Sequence, residues 1–593
     1  MMKQTERLYM LDMLKGIAIL GVVFYHANLF SYGYLGVDIF LVIAGYFTTK
    51  SIVNQYNNGN FSYWRFLRNR LVRIWPLVII ISILSLALGY FTMLPTNYKN
   101  TAETALGSGV FLNNFVQYIT AGDYWDASNE YKPLMHTWYI SLVLQFYILY
   151  PLFFIVVHRL SKDWKGLIFK VLSLVGLLSL VLYSLPILTP AFHFYLLPSR
   201  LFEFIAGGLL VLLPAIEQKG ITWKVWSCLL VIILLIAFNE NLNAQQYRLL
   251  AIVFTTTLLV WLITAKINFI TIPNFKILSF LGMASYSIYL WHQVIIAFYR
   301  NIFNDQLNIW EYICVIGASL VVGGYSYYFI EQGVDKIIKK NSQATKYVLS
   351  ICCIIVLPIS YLSVNFYKHE GVVRDIPELE TYIAKPATWA TLVYNDTIHK
   401  YDIDFPNNGK KNVLVVGDSY ARDWYNILKE SNYADSLNLS YHKALDNILY
   451  DRIRKANYIF LANHGDFNLF DSFIPQMAKK KLFRVGDKRF FSSPCLIYTK
   501  RLFDDSYYNQ KINIANDILN RNIKEKVIFG EGFINMMDVI KDGSGQYNIF
   551  TPEHKLISHD GLHLTRAGAR YYAHKLNISK LFNRAQLPLQ KTK

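Results

Sequence analysis

Long apolar runs separated by short charged connections fill roughly the first 365 residues. A helix that crosses a bilayer needs roughly 20 mostly apolar residues. By that measure the runs predict helices near 12–28, 34–52, 73–94, 137–159, 165–187, 196–214, 223–239, 248–266, 278–298, 309–331 and 346–365. Residues 104–118 are apolar but interrupted, and predict a re-entrant or surface helix. The pattern then changes. Residues 366–410 are polar and carry Pro377, Pro386 and Pro406, as suits a linker or small extension. From 412 strand-length apolar runs alternate with helical stretches. They are Asn412-Val-Leu-Val-Val-Gly-Asp-Ser419, Tyr458-Ile-Phe-Leu-Ala462 and Lys526-Val-Ile-Phe529. That alternation predicts an α/β domain with a parallel sheet.

The expected fold class is therefore a polytopic α-helical membrane domain of about eleven transmembrane helices plus a C-terminal α/β domain. The expected boundaries are 1–335 for the membrane domain, 336–366 for a linking eleventh helix, 367–410 for the extension and 411–593 for the α/β domain.

Composition sharpens this picture. The chain is 54% hydrophobic and 17% charged, well to the apolar side of a soluble average. A net charge of +18 would suggest nucleic-acid binding in a soluble protein. Here much of it lies in the connections, and no RNA-binding or zinc-finger signature accompanies it, so no nucleic-acid partner is expected. With a cytoplasmic N-terminus, the cytoplasmic connections hold about 18 Lys and Arg and the outer ones about 4. Arg65, Arg68, Arg70 and Arg73 then face inward, as do Lys336, Lys339, Lys340 and Lys346. The eleventh helix exits outward, so the C-terminal domain is expected to be extracytoplasmic. Asp12 and Lys15 in the first run, with no cleavage site, indicate a retained helix rather than a signal peptide. Four of the five cysteines lie in apolar runs and Cys495 stands alone in the last third, which excludes an intrachain disulfide there and gives no metal spacing.

Two groups of residues carry candidate chemistry. Gly417-Asp-Ser419-Tyr420 sits at the carboxyl end of a strand and opens a helix, where ligands bind in parallel sheets and free amides can stabilise an oxyanion. On its own the triplet also reads as an Asx turn capping a helix. Ser558-His-Asp-Gly-Leu-His563, near the other end of the domain, supplies an Asp and a His three residues apart. Asp560 can orient the His563 imidazole, whose other nitrogen can take the Ser419 proton. These residues resemble the SGNH hydrolase family, whose nucleophile matches Ser419 and whose closing Asp-x-x-His matches Asp560 and His563. The resemblance implies an oxyanion asparagine, for which Asn463 is the candidate, although Asn463-His-Gly465 departs from the usual Gly-x-Asn. The family's glycine block is not identifiable. His464 and His559 read as surface or structural groups.

Ionisable residues inside membrane helices are functional candidates by default. Lys15 and His26 are eleven residues apart. That spacing returns to within roughly 20° of one helix face and spans roughly 16 Å. Asp38, at the start of the next helix, falls at about the same depth as His26, where it could fix the imidazole tautomer. His136, Arg200, Glu203 and His292 fall toward the outer half, and Arg200 and Glu203 could pair on one face. Lys15, Arg68, Arg70 and Arg73 gather toward the cytoplasm, where they could hold the phosphates of an anionic donor.

These segments resemble the acyltransferase-3 family of membrane acyltransferases over roughly residues 8–335. The matching runs are Leu11-Asp-Met-Leu-Lys-Gly16 with His26, Gly36-Val-Asp-Ile-Phe-Leu-Val-Ile-Ala-Gly45, and Arg70-Leu-Val-Arg-Ile-Trp-Pro76. To these are added His136-Thr-Trp138 with Gln145-Phe-Tyr147, Ser285-Tyr-Ser-Ile-Tyr-Leu-Trp-His292, and Phe329-Ile-Glu331. The family's basic residue followed by histidine maps onto Lys15 and His26, and histidine is implicated in acyl transfer there. Val143 and Leu144 stand where many relatives carry two glutamates. The fused architecture resembles bacterial O-acetyltransferases that modify lipopolysaccharide O-antigen or peptidoglycan. The resemblance implies cytoplasmic acetyl-CoA as donor, no tightly bound cofactor, a surface glycan as acceptor and residence in the bacterial cytoplasmic membrane. An extracytoplasmic esterase with a membrane anchor, and a transporter, are the alternatives.

Overall fold

A computed structural model of the chain describes residues 2–593 apart from 121–128, 215–220, 238–244, 265–274, 384–393, 466–469, 478–480, 584–593 and the single positions 305, 342, 471 and 492. The chain forms two compact units, 1–92 with 96–371, and 93–95 with 372–593.

The first unit is helical. Its long helices are α1 (Met2–His26), α2 (Gly36–Asn57) and α3 (Tyr63–Thr92), followed by the shorter α4 (Pro95–Gly109) and α5 (Asn113–Thr120). After these come α6 (Trp138–Leu160), α7 (Trp164–Ser184), α8 (Pro190–Tyr195), α9 (Leu197–Leu209), α10 (Ile221–Ala237) and α11 (Gln245–Thr264). The last are α12 (Lys276–Met283), α13 (Ser285–Ile302), α14 (Ile309–Ser326), α15 (Gln332–Lys340) and α16 (Ala344–Lys368). A π-helical turn, Tyr327–Glu331, joins α14 to α15.

Among the described residues eight helices are long and apolar enough to cross a membrane, against the eleven expected. The shortfall lies at 196–214, 223–239 and 278–298. Helix α9 has only 13 residues, the described residues of α10 number 17, and the third run is broken at Ala284 into α12 and α13. A window of apolar composition counts residues; it does not register where a helix ends or breaks. The eight spans make the chain a multi-pass membrane protein.

Helices α2 and α9 approach through glycines. A Cβ added to Gly45 would lie 1.8 Å from the Phe204 carbonyl oxygen, and one on Gly207 would lie 1.9 Å from that of Val42. Small residues at a crossing let two backbones touch. Here the contact brings the first turn of α2, with Asp38, against Arg200 and Glu203 of α9.

The second unit contains a parallel sheet of β1 (Lys411–Gly417), β2 (Leu437–His442), β3 (Tyr458–Ala462), β4 (Lys481–Val485) and β5 (Phe533–Ile534), in spatial order β2-β1-β3-β4-β5. Both faces are covered. Val413 and Val415 pack with Trp424 and Phe460 on one side, while Leu414 and Val416 pack with Leu449 and Ile453 on the other. Strands buried on both faces read as unbroken apolar runs, which is why β1 and β3 stand out in the sequence. Strands β2 and β4 do not, because Asn438, Ser440 and Arg484 interrupt them.

Lys526–Phe529, expected as a strand, is the end of a helix, α19 (Asn516–Phe529), which follows α17 (Ser419–Lys429) and α18 (Asn447–Lys455) among the longer helices of this unit. Its buried positions Ile518, Asn522, Glu525 and Phe529 follow helical spacing, and Val527 is exposed. A four-residue apolar run carries no period of its own, so the helix that contains it decides its state.

Candidate functional site

Three features of the second unit converge on Ser419. Strand β1 ends at Gly417, whose φ of +135° only glycine adopts readily; a Cβ there would lie 1.9 Å from the Ala462 carbonyl oxygen on β3. The chain can therefore turn sharply at the strand end. Asp418 then caps α17, its Oδ1 accepting from the Tyr420 amide at 2.9 Å. Ser419 begins the helix, where unsatisfied amides are concentrated.

The loop 558–565 supplies the base. Asp560 Oδ1 accepts the backbone amides of Leu562 at 2.9 Å and His563 at 2.8 Å, an Asx-type turn that folds the four residues onto themselves. The same carboxylate reaches the His563 ring, Nδ1 to Oδ2 being 2.5 Å, and His563 Nε2 lies 2.9 Å from Ser419 Oγ. Nucleophile, base and orienting carboxylate thus form one hydrogen-bonded line. Burial would raise the Asp560 carboxyl, but the His559 and His563 imidazoles beside it and its hydrogen bonds hold it well below the usual carboxylate range. It is ionised wherever the imidazole could serve as a base.

Asn463 follows β3, whose Ala462 is in register with Gly417, so it stands beside the Ser419 turn. Its Oδ1 accepts from Arg484 Nη1 at 2.7 Å, and its Nδ2 donates to the His464 carbonyl at 3.3 Å. Arg484 is buried and held by two 2.9 Å bonds to Glu525. Next to it, the His464 amide donates to Asp418 Oδ2 at 2.8 Å and His464 Nδ1 lies 3.2 Å from the Tyr420 hydroxyl. His464 thus ties the β3 and β1 loops together. His559 is buried, with Nε2 3.5 Å from Asp560 Oδ2.

Sequence reasoning missed a second layer. Buried Asp423 on α17 pairs with Lys488 Nζ at 2.8 Å and accepts the Leu564 amide at 3.0 Å, which pins the chain just after His563. The Lys488 ammonium lies 3.6 Å from the Tyr420 ring centre. Burial would raise the Asp423 carboxyl, but Lys488 and Arg422 hold it below its ordinary value. The available signal was Arg484 and Lys488, charges within or next to an apolar run.

The first unit holds a separate cavity of about 840 Å³. Its lining includes His26, His136, Tyr289, Arg200 and Arg300. His26 and His292 have ring centroids 5.1 Å apart, and those of His136 and His292 are 5.3 Å apart. Helices α1 and α13 and the turn before α6 bring these three histidines together.

Asp38 does not meet His26. It is bonded by Arg200 Nη1 at 2.5 Å, and the same nitrogen bonds Glu203 Oε1 at 2.8 Å, the pairing on one face expected of Arg200 and Glu203. The expectation of an aspartate orienting His26 is corrected by this competition. A guanidinium offers full charge and several donors, and the α2–α9 glycine contact delivers it to Asp38. All three residues of the cluster are at most 2% exposed.

The residues of the basic cluster meet different partners. Arg73 bonds Glu331 at 3.1 and 2.7 Å, and Ser287 joins them at 3.1 Å, so the π turn, α3 and α13 share one polar knot. Arg70 lies over the Phe66 and Tyr147 rings, and Lys15 pairs with Asp12 at 2.6 Å. Arg68 Nε is buried with no hydrogen-bond partner among the described residues.

The acyltransferase-3 family, an acyltransferase domain, matches residues 8–328. Peptidoglycan O-acetyltransferase OatA of Listeria monocytogenes is 28% identical over 347 residues, 55% of this chain and 55% of that one. A provisionally assigned O-acetyltransferase of Staphylococcus aureus (strain MRSA252) is 25% identical over 532 residues, 81% of this chain and 86% of the relative. A provisionally assigned peptidoglycan O-acetyltransferase of Bacillus subtilis, 27% identical over 351 residues, shares 55% of this chain and 54% of its own. The chain thus spans about half the length of the Listeria and Bacillus relatives. No solved structure matches it.

Proposed function

Because the chain belongs to the acyltransferase-3 family, we propose that it moves an acetyl group from cytoplasmic acetyl-CoA to a hydroxyl of a cell-surface glycan. Among glycans we put peptidoglycan first, since two of the relatives carry that acceptor in their names. O-antigen is the variant substrate. The N-terminus is cytoplasmic and the C-terminal unit extracytoplasmic in this reading. The donor's phosphates are held by Lys15, Arg68 and Arg70, while Arg73 serves Glu331.

The membrane unit performs the first transfer with His26 as base, and the C-terminal unit the second. In the second, His563 removes the Ser419 proton as Ser419 Oγ attacks the carbonyl of the acetyl ester made in the first transfer, and gives that proton to the departing alcohol oxygen, leaving an acetyl-serine and a neutral imidazole. His563 then removes the glycan hydroxyl's proton as that oxygen attacks the acetyl-serine, and returns it to Ser419 as the ester forms. Asp560 holds the imidazole in the tautomer both steps need. The observation that carries the reading is the line Asp560–His563–Ser419, at 2.5 and 2.9 Å.

A second reading, a glycan O-acetyl esterase on a membrane anchor, is favoured by Val143 and Leu144. Both are buried side chains of α6 where many relatives carry glutamates. Ester-linked acetate on surface glycans separates the two, compared among cells making the wild type, Ser419→Ala or His26→Ala. Acetate present with the wild type alone is the transferase result. Acetate that rises in the Ser419→Ala cells identifies an esterase.

A further inference from the structure

A histidine that acts as a base works best when its second nitrogen is held by a partner. His563 has Asp560; His26 lost its expected aspartate to Arg200. The described residues around His26 are instead Tyr25, whose ring centroid is 5.0 Å away, Arg300, whose Nη2 bonds the His26 carbonyl at 3.2 Å, and His292.

The tautomer of His292 can be read from its bonds. Its Nδ1 lies 2.5 Å from the Tyr289 carbonyl oxygen, and only a protonated nitrogen bonds a carbonyl. In the neutral ring Nε2 therefore carries a lone pair. That nitrogen is buried and has no hydrogen-bond partner among the described residues, in a side chain 0% exposed. Leaving such an acceptor unsatisfied is costly. His136 repeats the arrangement: Nε2 donates to the Leu290 carbonyl at 3.1 Å, and Nδ1 is left without a partner. Backbone carbonyls thus lock two imidazoles as acceptors next to His26.

We propose that His292 is the positioning and proton-relay partner of His26. The two ring centroids are 5.1 Å apart with the ring planes inclined at 54°, near enough for an N–H···N bond of about 3 Å to close on a rotation of the His26 side chain. Resting on the transferase reading above, the step balances as follows. The acceptor O–H bond breaks as its oxygen attacks the thioester carbon, and its proton goes to the cavity-side nitrogen of His26. The proton on the other His26 nitrogen passes to His292 Nε2, making His292 an imidazolium that still donates from Nδ1 to Tyr289. The C–S bond breaks, the departing thiolate takes the cavity-side proton from His26, and His292 returns its proton. One ester and one thiol are formed. The ionisable groups facing His292 are His26, His136 and Tyr289, and no carboxylate bonds it among the described residues.

The test uses the full-length protein in detergent, with two readouts. Thiol release from acetyl-CoA is measured as kcat, KM and their pH profile. Carbethoxylation of His26 by diethyl pyrocarbonate is followed by peptide mass spectrometry, with exposed His158 as internal control. His292→Phe is expected to lower kcat about 100-fold with KM within about twofold, and to slow His26 modification about fivefold or more. His292→Gln can hold the ring but cannot carry a proton. It is expected to restore modification while kcat stays about tenfold or more below wild type. Wild-type turnover in His292→Gln overturns the relay, and unchanged His26 modification in His292→Phe overturns the pairing. The modification readout does not depend on the reaction. If the wild type releases no more thiol than His26→Ala, the transferase reading fails while the pairing is still decided.

Discussion

The two units organise a histidine in opposite ways. His563 stands between a serine and a carboxylate that are held by one tight loop and one helix start. His26 lines a cavity, has no carboxylate bonded to it among the described residues, and faces another imidazole. The first arrangement joins a three-residue spacing to a strand-end turn, with the Asp423 bond to the Leu564 amide holding the two together. The second needs α1, α13 and the turn before α6 at fixed angles.

The largest effects should separate the sites by half-reaction. Ser419→Ala is expected to remove glycan acetylation by roughly 10³-fold or more, as loss of a triad nucleophile does. Thiol release from acetyl-CoA should persist in that variant. His26→Ala should stop thiol release itself, by about 10²–10⁴-fold. Loss of thiol release in both variants would mean that the two units do not act in sequence.

Next come the buried ion clusters, which differ in balance. Arg484 faces a single carboxylate, Glu525; Arg200 faces two, Asp38 and Glu203. Removing one partner of a buried pair costs about 3–5 kcal/mol. Glu525→Gln is therefore expected to lower the unfolding temperature of the C-terminal unit strongly. Glu203→Gln should cost far less, because Asp38 still neutralises Arg200 and Glu203 Oε2 has no hydrogen-bond partner among the described residues. Differential scanning calorimetry of the two variants in detergent decides between them. Equal losses would show that the surplus carboxylate is needed.

Gly417→Ala forces a side chain into a φ of +135° and against the β3 backbone. It is expected to destabilise the C-terminal unit by more than about 1 kcal/mol and to displace Ser419, read as slower acylation by an activated ester.

The smallest effect concerns pH. The Asp423 and Asp560 carboxyls are held below their ordinary values in the folded protein. Their contribution is thus complete above the unfolded carboxyl value, about 3.9, and is lost as pH falls through the lower folded values. Acid unfolding monitored by tryptophan fluorescence should be less steep in Asp423→Asn than in the wild type. An unchanged slope would show that Lys488 and Arg422 do not stabilise this carboxylate.

Much of this was legible in the sequence, and the reason is locality. The helical membrane region, the α/β region after 412 and the Asp560–His563 pair follow from periodicity or a spacing of three residues, while Ser419, 144 positions from His563, was joined to them by the resemblance to the SGNH family. A turn motif carries its own geometry, so Asp560 and His563 could be paired on the page. The partner of Asp38 could not, because Arg200 is 162 positions away and arrives only through the Gly45–Gly207 crossing. The same holds for Arg73 with Glu331, 258 positions apart, and for His26 beside His292. Lys526–Phe529 was misjudged for a related reason, since four residues do not contain a helical period. Sequence determined which groups could do chemistry and which segments are apolar. Tertiary structure alone decided which charges neutralise one another, because that depends on where helices cross, and a crossing is a property of two surfaces rather than of either chain segment.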